Sequence, residues 1–263
     1  MSLASVVDRL APEGDGFVIE APEDWAQGRT LYGGMTAALI YEASRRAQGA
    51  LPPLRSAQFS FIGPAAGKLR LTSTLLRQGR SSAMVAGECF NEEGAAARAL
   101  FVFGAARESK VAHNDLPAPP APAPESCGPF RKEGANAPRG FWNNFETRLA
   151  AGGRIFETAA PRPEFAVWTR FLDPGAVDPV TALLAIADCL PPAAMVHFPA
   201  PAPISTVTWT VDIAHTPASA DAWRLLWSRS DHAGEGYSLQ SMTMWDAEGR
   251  ALAVGRQAVA IFA

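Results

Sequence analysis

The chain has 263 residues, a formal charge of −3 and 48% hydrophobic residues, which supports one large domain or two modest ones with a real core and excludes a disordered chain. The slightly acidic balance offers no basic footprint for nucleic acid. Three cysteines (Cys89, Cys127 and Cys189) without CxxC spacing exclude a disulfide framework and a zinc site.

In chain order, Met1–Leu10 contains Asp8 and Arg9 and no long apolar run, so no signal peptide is expected. No later stretch is apolar for long enough to span a membrane. The expected setting is therefore the reducing cytoplasm. Gly16 to Trp25 reads as a first strand. Gly33-Gly34 then opens a helix that runs from Met35 to about Gln48 and stops at Gly49 and Pro52-Pro53. Thr74 to Gly94 reads as strand, turn, strand, turn, closing on Glu93-Gly94, and an acidic residue before Gly between apolar runs is a hairpin signal. A last apolar strand follows at Ala97–Gly104.

Asp115–Pro124 is almost entirely Pro and Ala, and Gly/Pro-rich sequence continues to about Gly140. That composition predicts extended, poorly packed chain. Strands are expected next at Phe141–Leu149 and Phe165–Phe171. Asp178-Pro179 supplies an N-cap and a proline at the first helical position. The helix it opens spans Val180–Leu190 and stops at Pro191-Pro192. Trp223–Gly249 repeats the strand-turn-strand-turn order and closes on Glu248-Gly249, before a final strand at Ala251–Phe262.

The chain is thus written twice. Both helices are apolar nearly all round in their first turns, the pattern of a helix wrapped on several sides. The fold class expected is α+β: two tandem units, each an antiparallel sheet wrapped around a central helix, with the two sheets side by side. The boundaries are 1–108, a Pro/Ala-rich linker at 109–140, and 141–263. Two unrelated α+β domains with the same element order form the other reading.

Gly28-Arg29-Thr30-Leu31-Tyr32-Gly33-Gly34, Leu76-Arg77-Gln78-Gly79-Arg80-Ser81 and the run from Trp245 to Gln257 resemble segments of the acyl-CoA thioesterase II (TesB-like) family of the hotdog superfamily. The resemblance covers nearly the whole chain. It implies two hotdog folds and hydrolysis of an acyl-CoA or related acyl thioester, within fatty acid metabolism and without a cofactor or metal. It also implies a water-binding trio in the second hotdog, carried here by Asp188, Thr210 and Gln257. Thr208 or Thr206 is the alternative hydroxyl. Trp209 stands where the family has His, and Met35 where it often has Gln after the Gly-Gly pair. A non-catalytic acyl-thioester binding protein on the same fold is the alternative function, and a homo-oligomer is compatible with either.

The residue types suit the chemistry. Asp188 lies among Ala185, Ile186, Ala187 and Leu190 near a helix C-terminus. Both surroundings disfavour its charge and make it a better base near neutral pH. A threonine hydroxyl and a glutamine amide each donate and accept, so they can fix a water. Gly33-Gly34 at a helix start either presents backbone N–H groups to an oxyanion or a phosphate, or merely allows close packing. Glu42, on the first helix, is the rival carboxylate. Superposing the halves on Gly94 and Gly249 sets Gln257 against Val102, and the helices set Asp188 against Glu42. The Pro64 and Pro217 landmarks set Thr210 against Ala57. The chain has no GxSxG, GxGxxG or P-loop, and its four histidines are scattered, which argues against a serine hydrolase, a dinucleotide enzyme and a hotdog hydratase.

Overall fold

The computed structural model describes residues 1–131 and 140–262. The linker stretch 132–139 lies outside the described residues. A short helix α1 (Leu3–Val7) precedes β1 (Ala11–Glu13) and β2 (Gly16–Glu20). β3 (Ala26–Gln27) and β4 (Thr30–Leu31) form a two-residue ladder before α2 (Gly33–Gln48). The first half ends with β5 (Leu54–Phe61), β6 (Lys68–Gln78), β7 (Ser82–Asn91) and β8 (Gly94–Gly104). The second half has β9 (Phe145–Gly152), β10 (Glu164–Phe171) and α3 (Pro179–Ala187). It ends with β11 (Ile204–Ile213), β12 (Arg224–Gly234), β13 (Tyr237–Asp246) and β14 (Ala251–Ile261).

Twelve of the strands form one antiparallel sheet in the order β1-β2-β6-β7-β8-β5-β11-β14-β13-β12-β10-β9. The halves join edge to edge where β5 pairs with β11, for example Phe59 with Trp209, whose rings stack at 5.2 Å. Joining removes two edges that would otherwise expose unpaired backbone groups. The expected tandem hotdog architecture is therefore present. Among the described residues, no helix is long and apolar enough to cross a membrane.

The two helices fill the concave side of the sheet. Every residue of α3 from Val180 to Ala187 is buried, as is α2 from Gly34 to Ser44. This accounts for the lack of a polar face in the sequence. Asp178 caps α3, its Oδ2 accepting the N–H groups of Val180 (3.1 Å) and Thr181 (2.9 Å). Pro179 occupies the first turn, where no donor is needed. The helix ends sooner than expected, at Ala187, because Asp188 leaves the helical region with φ −101° and ψ 9°. The start of α2 lies against the end of α3. A Cβ on Gly34 would lie 2.5 Å from the Ala185 carbonyl oxygen and 2.7 Å from the Tyr32 ring. Gly34→Ala is expected to lower the stability by about 1–3 kcal/mol through this overpacking. Urea unfolding beside the wild type checks it.

Three local expectations change. The strand expected at Gly16–Trp25 ends at Glu20, because Pro22 has no N–H for the ladder and Glu23–Trp25 forms a 3-10 turn. The strand expected from Phe141 begins only at Phe145. Residues Phe141–Asn144 form a 3-10 turn that stacks Phe141 on Tyr32 at 4.3 Å. The described part of the linker is extended but docked. The indole N–H groups of Trp168 and Trp245 donate to the carbonyls of Pro122 (2.8 Å) and Leu116 (2.9 Å). Leu116 and Ala118 cover the same apolar cluster. The outer faces of β10 and β13 carry these indoles, and nothing local to the linker marks it as the segment that covers them.

Candidate active site

A cavity of about 720 Å³ opens between the halves, within the usual range for a small-molecule site. Its walls are mostly apolar, among them Phe61 from the first half, Phe130 from the linker and Trp142, Ile155 and Leu190 from the second. Asp188, Gln257, Thr206 and Gly33 supply polar groups to the same space, and among the described residues Arg131 is the other charged side chain lining it.

Asp188 lies just past the end of α3, where the chain turns away toward Pro191-Pro192. Its Oδ1 accepts a hydrogen bond of 2.5 Å from Nε2 of Gln257. On its other side stands the start of α2: a Cβ on Gly33 would lie 2.5 Å from Oδ2. Gly33 thus leaves room for the carboxylate, and Gly34 lets the helices meet. Both roles considered for the pair, packing and exposure of backbone N–H groups, are compatible here. Burial pushes the Asp188 carboxyl up to about 7, offset in part by the hydrogen bond from Gln257 and by the Gly34 backbone N–H.

Gln257 lies in β14, and its side chain is nearly fully buried. It points to the concave side together with its cross-strand partner Trp209. Thr210 does not. Its cross-strand partners are Arg256 and Gln58, both exposed, so its hydroxyl is on the convex face and does not line the cavity. Of the three β11 threonines considered, the one that lines it is Thr206. The cause is a β-bulge. The β11–β14 register shifts between Thr206 and Thr208, leaving Val207 without a partner and pairing Thr206 with the fully buried Val259. Regular alternation from Trp209 puts Thr206, Thr208 and Thr210 on one face; the extra residue turns Thr206 over to the other.

Glu42 is outside the cavity. It is 2% exposed and held by Arg45 (2.8 Å), by Arg46 (2.8 Å) and by the Thr181 hydroxyl (3.1 Å). Burial alone would raise its pKa, but the hydrogen bonds and charges of Arg45 and Arg46 outweigh that and hold it below the usual carboxylate range. Asp188 faces the start of α2 and Glu42 faces the start of α3. They occupy related places at opposite ends of the helix pair, one open to a cavity and one filled by guanidinium groups. The superposition of Gln257 on Val102 is one residue out, because the second hairpin turn is one residue longer than the first: Gly94 pairs with Asn91, whereas Arg250 bonds to Asp246. In β8 the concave residues are Phe101 and Phe103, and Val102 faces away. Each final strand carries a bulge at the matching place, Ala96 in β8 and Leu252 in β14, so the count stays in step beyond it and Gln257 stands opposite Phe101.

Sequence reasoning missed Gln240. It lies in β13 directly opposite Gln257 and is 1% exposed. The sequence pattern hid it: in Ser238-Leu239-Gln240 the apolar Leu239 reads as the inward residue, yet Leu239 is exposed and Ser238 and Gln240 are buried.

Comparison with known proteins bears on the same features. A family model described as the acyl-CoA thioesterase C-terminal domain matches residues 114–261. A second, the acyl-CoA thioesterase N-terminal domain, matches residues 21–104. Among solved structures, a hotdog-fold protein of unknown function from Alicyclobacillus acidocaldarius is 25% identical with a TM-score of 0.88, over 98% of this chain and 97% of that one. The tesB protein of Mycobacterium avium subs paratuberculosis is 18% identical with a TM-score of 0.79, over 99% of each chain. Acyl-CoA thioesterase II TesB2 from Mycobacterium marinum is 17% identical with a TM-score of 0.76, over 99% of this chain and 98% of that one. These last two likenesses concern the fold. No curated protein sequence matches significantly.

Proposed function

This chain belongs to the acyl-CoA thioesterase family and is a thioester hydrolase, and from that premise we propose that Asp188, Gln257 and Thr206 activate the attacking water. The observation that carries this reading is the contact between the Asp188 carboxylate and the Gln257 amide on a cavity shared by both halves.

Asp188 is the general base. A carboxyl with a pKa of about 7 is ionised in half of the molecules at neutral pH and binds a proton more tightly than an ordinary aspartate does. One N–H of Gln257 is committed to Asp188, and its second N–H is left for the water. The Thr206 hydroxyl supplies another contact to the same water. Asp188 takes a proton as the water oxygen bonds to the thioester carbonyl carbon. Collapse of the tetrahedral species breaks the C–S bond, and the proton leaves with the thiolate. The products are a free acid and a thiol. The Gly33 N–H, at the first position of a 16-residue helix, is the candidate donor to the developing oxyanion.

The apolar walls suit an acyl chain, and Arg131 stacks over Trp142 at 5.5 Å, where it offers a positive charge to an anionic carrier. Coenzyme A is the carrier that the family favours. Thiol release measured across short- to long-chain acyl-CoA substrates tests the activity directly. Failure of every chain length would favour a binding role instead. The hydroxyl assignment has its own test. Thr206→Val is expected to lower kcat by about 100-fold, whereas Thr210→Val leaves it within about a factor of 2. The reverse order would restore Thr210 to the trio.

A further inference from the structure

The Gln257 amide is aimed at Asp188 by a chain of hydrogen bonds that begins outside the cavity. The backbone N–H of Ala193 donates to Oε1 of Gln240 (2.9 Å). Nε2 of Gln240 donates to Oε1 of Gln257 (2.5 Å), and Nε2 of Gln257 donates to Oδ1 of Asp188 (2.5 Å). A glutamine amide can usually turn over and exchange its oxygen for its nitrogen. Here both ends of the chain forbid it. The Ala193 N–H can only donate, so Gln240 must meet it with oxygen. The ionised Asp188 can only accept, so Gln257 must meet it with nitrogen. Only one polarity satisfies all three bonds.

The setting makes this polarity matter. Gln240 and Gln257 are direct cross-strand partners and both are buried, so no solvent replaces a missing bond. Ala193 opens the 3-10 turn Ala193–His197 immediately after Pro191-Pro192, and both prolines line the cavity. The relay therefore ties the cavity wall to the catalytic carboxylate through β13 and β14.

We infer that Gln240 is a positioning residue for thioester hydrolysis, holding the Gln257 amide with its nitrogen toward Asp188 by handing on the polarity of the Ala193 N–H. The inference rests on the proposed role of Asp188 and Gln257. Without Gln240, the Gln257 amide is free to present its oxygen to Asp188. That orientation favours the protonated acid and withdraws the hydrogen bond that stabilises the base.

The readout is the acid limb of the pH–rate profile, so other groups facing Asp188 matter. Tyr32, from the start of α2, and the adjacent Cys189 are both raised by burial and stay neutral. Arg131 lies on the cavity wall. None of the four histidines lines the cavity. Glu42 is at the far end of the helix pair, bonded to Arg45 and Arg46. An acid limb near pH 7 accordingly reports Asp188.

The experiment compares kcat, KM and the pH profile of wild type, Gln240→Met, Gln240→Glu and Asp188→Asn. Gln240→Met keeps the volume and removes both bonds. It is expected to lower kcat by about 10- to 100-fold with KM changed by less than about 3-fold, and to move the acid limb up by about one pH unit. Gln240→Glu keeps the acceptor for Ala193 and, when ionised, has no donor for Gln257, so it should lower kcat similarly at pH 8. It also serves as the test should Gln240→Met fold poorly. An unchanged kcat in these variants, or a kcat lowered equally at every pH with the wild-type acid limb, overturns the inference and leaves Gln240 a packing residue. Wild-type turnover by Asp188→Asn would instead overturn the reading of the site itself. Loss of activity there, combined with a wild-type acid limb in Gln240→Met, would overturn the positioning role alone.

Discussion

Asp188→Asn is expected to lower kcat by about 1,000-fold, within the range contributed by a general base, while leaving substrate affinity close to that of the wild type. The replacement keeps the shape and the hydrogen bond potential toward Gln257 but cannot accept the proton of the water. Thiol release under saturating substrate gives kcat, and binding of a non-hydrolysable thioether analogue gives affinity. The pH dependence carries independent information. Because burial raises the Asp188 carboxyl to about 7, wild-type turnover should rise through pH 7 and level off above about pH 8, one unit past that pKa. A residual rate in Asp188→Asn comparable to the wild type would remove Asp188 from the mechanism. Glu42, sealed between Arg45, Arg46 and Thr181, would be no substitute.

The same replacement should make the protein more stable at alkaline pH. The folded chain holds the Asp188 carboxyl at about 7, whereas the unfolded chain holds it near its ordinary value of about 3.9. Between those two values the native state binds more protons than the unfolded state, so wild-type stability falls as pH rises from about 4 to about 7. Above pH 7 the cost is complete. Three pH units correspond to about 4 kcal/mol as an upper bound. Asparagine carries no charge at any of these pH values and escapes this cost. Urea unfolding at pH 5 and pH 8 should find Asp188→Asn gaining most at pH 8 and little at pH 5. Equal stabilities at pH 8 would show that the carboxylate is not penalised by its surroundings. The two results together would describe one trade: an anion kept in a poorly solvated position because that position makes it a base.

Much of this molecule is legible in its residues. Repeated element order, acidic-Gly turns at Glu93-Gly94 and Glu248-Gly249, the Asp178-Pro179 helix start and two helices without a polar face determine a doubled antiparallel sheet around buried helices. They do so because hairpin chemistry, capping and hydrophobic periodicity are local properties. Asp188 was likewise legible, as a carboxylate among apolar neighbours at a helix end. What only the tertiary structure decided depends on register and on polarity across strands. Thr206 and Thr210 are the same residue type four positions apart, and a bulge at Val207 determines which one reaches the cavity. Gln240 acquires a role only through a partner 17 positions away, and Glu42 loses one only because Arg45, Arg46 and Thr181 close around it. A one-residue shift in pairing reverses the face of every side chain beyond it. The sequence carries no local mark of that shift, because the bulge exists only in how β11 pairs with β14, a strand some fifty positions away.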